Sequence, residues 1–325
     1  MKVEGALERY LKTEILPQLA HAPYGEIKGT RLSQKMPVCL LQDDLSHTQL
    51  VGKAFQYGSI SLDSAWERAT KEYESLRLVR EKYGMSEGDF QTVAPLGKNR
   101  DLAALLVISY GKGNTLDHYI SKATNNNETT KLYYKLRLLA RFLVKLHKNS
   151  ESNMLTSPEG PRKYLKKLLG TLCVRLLSSA DSDRLKELAS LWWNRPDISS
   201  DHEVLVHGDA TPTNFLFRHD KVTGIDLEKA KWADRCWDLG FMAAELKHHF
   251  LLKNKSSWDS EPFIRHLLLE YAAGFRDLDM FHSITRRLPL YMALGLLRIA
   301  RNDWLDEKHR YKLVEEAKLC LKYKA

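Results

Sequence analysis

Residues 204–240 read VLVHGDATPTNFLFRHDKVTGIDLEKAKWADRCWDLG, and the fold turns on this stretch. An apolar triplet, Val204–Leu205–Val206, leads into His207–Gly208–Asp209. Asn214 follows five residues after Asp209, and a second apolar run ends twelve residues later at Ile225–Asp226. The pattern predicts two carboxylates and one amide at the ends of short strands, joined by a tight loop. That donor set suits phosphoryl transfer: one carboxylate faces an attacking hydroxyl, and an amide and a carboxylate hold Mg²⁺ on phosphates. A loop aspartate alone more often caps a turn. The register of Asp209 with Asn214 and Asp226 is what favours chemistry.

Outward from this stretch, the chain changes character once. Residues 1–20 are expected to form a short amphipathic helix stopped near Pro17. Tyr24–Gly29 is expected to be a glycine-bearing turn or strand pair, and strands are expected at Pro37–Gln42 and over residues 50–55, with Asp43–His47 as a turn. Ala65, Ala69, Tyr73, Leu76 and Val79 recur at helical spacing and predict a helix over 63–82, capped by Asp63 or Ser64. Residues 90–110 return to strand and end in Leu105–Leu106–Val107–Ile108. Beyond Gly111 and Gly113 the pattern is helical: 115–123, 128–148, 161–178, 181–194, then about 236–252, 260–276, 283–304 and 307–323. The fold class is therefore α+β, with a small β-rich part over 1–110 and a large, mainly helical part over 111–325.

Bulk properties narrow the partners. With 325 residues and 43% hydrophobic composition the chain can bury a large core. No run reaches the roughly 18 apolar residues a membrane helix needs. Cys39, Cys173, Cys236 and Cys320 form no CxxC pair, so structural zinc is disfavoured and a reducing, cytoplasmic location is expected. The net charge of +9 admits nucleic acid or an anionic membrane surface as partners. Pairs such as Lys166–Lys167 and Arg286–Arg287 read instead as solvated helix faces. No dense basic tract or RNA-binding signature is present, so no nucleic-acid partner is expected. Peripheral membrane contact stays open.

HGDATPTN followed by IDLE and then Asp238–Leu239 resembles the aminoglycoside phosphotransferase and choline kinase family. The resemblance extends to Lys53, to the 105–117 connector and to Leu146–His147. It implies a two-lobed protein-kinase-like fold and an ATP- and Mg²⁺-dependent kinase acting on a small-molecule hydroxyl. Asp209 becomes the catalytic aspartate, and Asn214 and Asp226 the metal ligands. Lys53 becomes the phosphate-pairing lysine, with Glu72 as its helix partner and Glu67 as the alternative. Ser109, Tyr110 and Gly111 become the adenine-facing connector, under Val51 and Leu106. Asp238 is expected to accept backbone N–H groups of the 207–209 turn. For His207 a buried structural histidine that hydrogen-bonds the loop backbone is expected, with a general base as the alternative reading. The departure is at the N-terminus, where Gly25 and Gly29 stand in place of GxGxxG.

By the period of two along a strand, Glu228 falls on the face of Asp226, either as a carboxylate that approaches the metal or as a solvent-exposed strand carboxylate. Leu227–Glu228 stands where a protein kinase has Phe-Gly, which disfavours that class. A lipid, polysaccharide or protein acceptor, or a non-catalytic nucleotide-binding protein, are the competing readings. The acceptor is expected against residues 234–310, among Trp237, Glu245, His248, His249, Trp258, Glu270, Tyr271, Tyr291, Arg298, Arg301, Asn302 and Trp304. Carboxylates and aromatics there suit an amine. Arg298 and Arg301, three apart on one helix, suit a carboxylate or phosphate.

Overall fold

The structure is a computed structural model and describes residues 3–34, 36–253 and 256–323. Two compact units emerge, Met1–Gly113 with Thr223–Lys229, and Asn114–Val222 with Ala230–Ala325. The short return at 223–229 carries Asp226 into the first unit; a single cut at residue 110 places it in the second.

The first unit is built on a five-stranded antiparallel sheet in the order Ile27–Arg31, Val38–Asp43, Gln49–Ala54, Leu105–Ser109, Pro95–Asn99. Its N-terminal segment is a helix, Gly5–Tyr10, that widens into a π turn at Leu11–Ile15 and tightens into a 3-10 turn at Leu16–Gln18. The single helix expected over 1–20 is thus broken in type, and residues 1–2 lie outside the described residues. Leu11, Ile15 and Leu16 bury themselves with Ile27, Leu41, Leu50, Leu105 and Val107. Neither N-terminal glycine forms a phosphate loop. Gly29 pairs with Leu41 inside a strand. Gly25 donates its N–H to Asp43 Oδ1 at 2.7 Å, and a Cβ there would meet Asp44 Oδ1 at 2.0 Å.

The Leu62–Glu81 helix is capped by Ser61, whose hydroxyl accepts the N–H of Ser64; Asp63 and Ser64 already lie inside it. Its buried stripe is Ala65, Ala69, Glu72, Leu76 and Val79. The apolar pattern suggested Tyr73, but the stripe passes through Glu72. A carboxylate on the apolar face of a helix needs a partner, and the site supplies one.

Among the described residues, eight helices carry the second unit: Leu116–Asn126, Thr129–Asn149, Glu159–Arg175, Ser179–Trp193, Cys236–Leu252, Glu261–Phe275, Leu278–Ala300 and Glu307–Leu321. Val204–Val206 pairs antiparallel with Lys231–Ala233, and Asn114–Thr115 with Phe215–Arg218. The Cys236–Leu252 helix is buried along nearly its whole length. It meets Leu278–Ala300 at two glycines. A Cβ on Gly240 would approach Tyr291 Cβ to 2.5 Å, and one on Gly295 would approach Ala244 Cβ to 2.6 Å.

Buried charge pins segments within this second unit. Arg287, expected on a solvated face beside Arg286, is fully buried. Its Nε lies 2.9 Å from Asp234, and its Nη2 bonds Asp201. Arg235, also buried, donates to Asp201 at 2.8 and 2.9 Å and to Glu151 at 2.8 Å. Two guanidinium groups therefore share the Asp201 carboxylate. Paired in this way, charges tolerate burial that either sign alone would not.

Candidate active site

In the first unit, Lys53 is the fifth residue of the Gln49–Ala54 strand and points its ammonium at two acids. Nζ lies 2.8 and 2.7 Å from the two Glu72 oxygens and 2.8 Å from Asp226 Oδ1. Burial alone would lower the lysine pKa; the carboxylates of Glu72 and Asp226 more than reverse this and raise it. Burial pushes the Glu72 carboxyl up to about 7, against the opposing pull of Lys53. Glu67 is exposed on the same helix, so Glu72 is the partner.

Asp226 does not end a strand. The Lys221–Gly224 strand stops two residues earlier, Asp226 takes φ +65°, and Leu227–Lys229 forms a 3-10 turn. A non-glycine residue in that left-handed region is uncommon and clusters at functional sites. The strand-period argument for Glu228 therefore falls away, yet the turn brings it close by another route. Carboxylate oxygens of Glu72, Asp226 and Glu228 all lie within 4.8 Å of one another. Arg68 holds Glu228 at 3.1 Å.

The connector is partly committed to the sheet. The Ser109 N–H donates to the Ala94 carbonyl and its hydroxyl accepts the Ala94 N–H, both at 2.8 Å. The Ser109 amide is thus unavailable to a ligand, and Tyr110–Gly111, past the strand end, are the connector residues left. Leu106 is fully buried and Val51 nearly so.

In the second unit, the Val204–Val206 strand delivers His207, Gly208 and Asp209, and Gly208 makes the turn at φ +78°. Glycine reaches that region without the Cβ penalty. The Asp238 carboxylate accepts the N–H of His207 at 2.7 Å and of Gly208 at 3.0 Å. His147 Nε2 lies 3.1 Å from Asp238, and its Nδ1 lies 2.8 Å from the Tyr271 hydroxyl. Burial lowers the His147 pKa, so the imidazole is neutral. His207 is buried and its ring lies 5.1 Å from that of Phe215. Asn214 donates its amide nitrogen to the Asp209 carbonyl at 2.9 Å, closing the loop from the other end.

Arg298 completes the loop's surroundings. Its guanidinium bonds the Asp209 carboxylate through Nη2 and Glu245 Oε1 through Nη1 at 3.1 Å. Burial would lower its pKa, but Asp209 and Glu245 raise it. Burial drives Glu245 up to about 7 despite the arginine. Beside them stand three aromatic rings: Trp237 is 5.2 Å from both Tyr164 and Phe241. Lys231 Nζ sits 3.0 Å from the Trp237 ring centroid. Tyr164 and Lys231 carried no signal at the sequence level; both lie outside any motif.

The remaining acceptor candidates disperse. Tyr271 belongs to the His147 network. His248 Nδ1 is 2.9 Å from His309 Nε2, and His249 is 3.4 Å from Asp117. Trp258 and Trp304 are exposed, and Glu270 faces His266 at 4.0 Å.

The chain belongs to the phosphotransferase enzyme family (APH), whose sequence profile matches residues 66–280. It is a small-molecule phosphotransferase with an alcohol-bearing acceptor, built on a two-lobed α+β kinase-like fold. No curated protein matches the chain in sequence. Among solved structures it is similar to APH(2")-IIa in a ternary complex with streptomycin and ATP: 16% identity, 99% of this chain and 100% of the other, TM-score 0.62. It is also similar to a choline/ethanolamine kinase family protein from Mesorhizobium loti, at 14% identity over 98% and 94% of the two chains, TM-score 0.59. A Plasmodium vivax ethanolamine kinase matches at 15% identity over 91% and 80%, TM-score 0.55. Among the described residues no helix is long and apolar enough to cross a membrane.

Proposed function

We propose that the enzyme transfers the γ-phosphoryl group of ATP, with Mg²⁺, to a hydroxyl of a small molecule. The observation that carries this is the Lys53 ammonium held between Glu72 and Asp226, at 2.7 and 2.8 Å. A buried lysine fixed by a helix carboxylate presents one positive charge to a phosphate chain, as phosphoryl transfer requires. Tyr110 and Gly111 would meet the adenine through their backbone.

The donor set suits Mg²⁺, a hard cation that takes oxygen ligands and keeps several waters. Asp226 would supply a carboxylate, with Glu228 close by. Bound there, the ion would neutralise charge on the phosphates. Asp209 would orient the acceptor hydroxyl and accept its proton. The transition state is loose, so this is mainly positioning. All four cysteines are free thiols, which fits a cytoplasmic location.

The test is calorimetric titration of the full chain with ATP, with and without Mg²⁺, beside ADP release over sugars, sugar acids, amino alcohols and aminoglycosides. Mg²⁺-dependent binding and acceptor-dependent ADP release are expected. Absence of both sinks the reading.

A further inference from the structure

We propose that the acceptor carries a negative charge, a carboxylate or a phosphate, close to the hydroxyl that is phosphorylated. The inference rests on Asp209 facing that hydroxyl and concerns the helical unit alone.

Protein sites recognise amines with two devices: carboxylates that pair with the ammonium, and aromatic faces that attract it. Both are present beside Asp209, and both are already occupied by the chain's own cations. Arg298 bonds the carboxylates of Asp209 and Glu245. Lys231 lies on the Trp237 face at 3.0 Å. Arg298 also lies 5.6 Å from the Phe241 ring. An amine entering this space must displace a part-buried guanidinium from two acids, or an ammonium from an indole.

An anion meets the opposite situation. Arg298, Lys231 and Arg301, which lies one turn beyond Arg298, all offer N–H donors. Arg301 and Arg298 both act electrostatically on the Tyr164 hydroxyl, as does Asp209, so these groups share one neighbourhood. The acids facing it are Asp209, Glu245 and Asp117, and Asp117 faces the His249 imidazole at 3.4 Å. Glu245 is the replaceable partner. Burial already favours its neutral form, so an incoming anion can take its place on Arg298 while Asp209 keeps the other side of the guanidinium. The hydroxyl and the charge of the acceptor would then be read by adjacent groups, Asp209 and Arg298.

The experiment uses the full chain with Mg²⁺ and a non-hydrolysable ATP analogue. Two matched sets are titrated: glucose, glucuronate, glucose 6-phosphate and glucosamine; glycerol, glycerate, glycerol 3-phosphate and ethanolamine. Anionic members are expected to bind roughly tenfold or more tightly than their neutral and amine counterparts. The carboxylate and phosphate arms distinguish the two chemistries. Arg301→Gln and Lys231→Met should each erode that advantage, and Arg298→Met should reverse it by freeing two carboxylates for the amines. A set in which no anionic member exceeds its counterparts, or an advantage indifferent to all three substitutions, overturns the inference. Nucleotide binding in the same samples reports separately on the kinase reading.

Discussion

Asp238 ties down the His207 backbone: its Oδ2 accepts the His207 N–H at 2.7 Å while Oδ1 takes that of Gly208. The same carboxylate faces His147 across 3.1 Å, and all three residues are buried. One side chain at the start of the Cys236–Leu252 helix therefore positions the loop that ends in Asp209. Asp238→Asn keeps the shape but replaces one acceptor with a donor. Hydrogen bonds to a charged group are worth about 1.5–3 kcal/mol, so a loss of that order in urea unfolding is expected. Amide exchange at Gly208 should accelerate with it. Unchanged stability and exchange would remove Asp238 from this role.

Asp209→Asn separates chemistry from binding. Loss of a positioned acid–base group slows transfer by on the order of 10²–10⁴-fold. Calorimetric affinity for Mg-ATP should stay within about twofold of the native value by the same reasoning, since this aspartate is assigned to the hydroxyl and not to the nucleotide. A variant that retains full turnover would dismiss the assignment.

How much of this was readable beforehand depends on the kind of signal. Helix positions were legible because apolar spacing survives in a single sequence: 63–82 against Leu62–Glu81, and 236–252 against Cys236–Leu252. Glu72 was legible by resemblance alone, because apolar spacing puts Tyr73, not a carboxylate, in the stripe of Ala65, Ala69, Leu76 and Val79. The geometry of Asp226 was not, because an apolar run into an aspartate reads as a strand end until Gly224 and a positive φ stop it. Arg287 and Arg298 were unreadable for a different reason. Sequence periodicity places an arginine on a face, but its partners Asp201, Asp209, Asp234 and Glu245 come from distant segments that only the fold brings together.

The Lys53–Glu72 pair predicts a coupled pattern. Lys53→Met should raise KM for ATP by roughly tenfold or more, the scale of one lost charge-assisted contact. Glu72 touches Lys53 and acts through it. Glu72→Gln should therefore cost less, and the double variant should be no worse than Lys53→Met alone. Additive losses would show that Glu72 has a separate function.

Two glycine substitutions have opposite expected signs. Gly240→Ala drives a methyl to 2.5 Å from Tyr291 Cβ and 2.8 Å from the Met292 nitrogen. Overpacking of that kind costs about 1–3 kcal/mol. Gly160, inside the Glu159–Arg175 helix, has nothing within 4 Å of the same position. Gly160→Ala should stabilise by about 0.4–1 kcal/mol by restricting the unfolded chain. Thermal melts of the two single variants decide both, and a Gly240→Ala melt at or above the native midpoint would refute the close helix crossing.

Acid should weaken the fold through the histidine pair. Burial pulls the His248 pKa down to about 3, with His249 and His309 adding to the effect, and burial lowers His309 as well. His248 Nδ1 and His309 Nε2 lie 2.9 Å apart, so at most one proton can sit between them. A group whose folded pKa is depressed below its unfolded value of about 6.5 takes up protons on unfolding. Its contribution is present above pH 6.5 and is lost as pH falls toward the folded value. From pH 6.5 to pH 5 one such imidazole accounts for about 2 kcal/mol, at 1.36 kcal/mol per pH unit. Urea unfolding at pH 8, 7, 6 and 5 should show this decline, and His248→Gln should flatten it. A decline of equal slope in that variant would assign the acid sensitivity to His147 or to other groups instead.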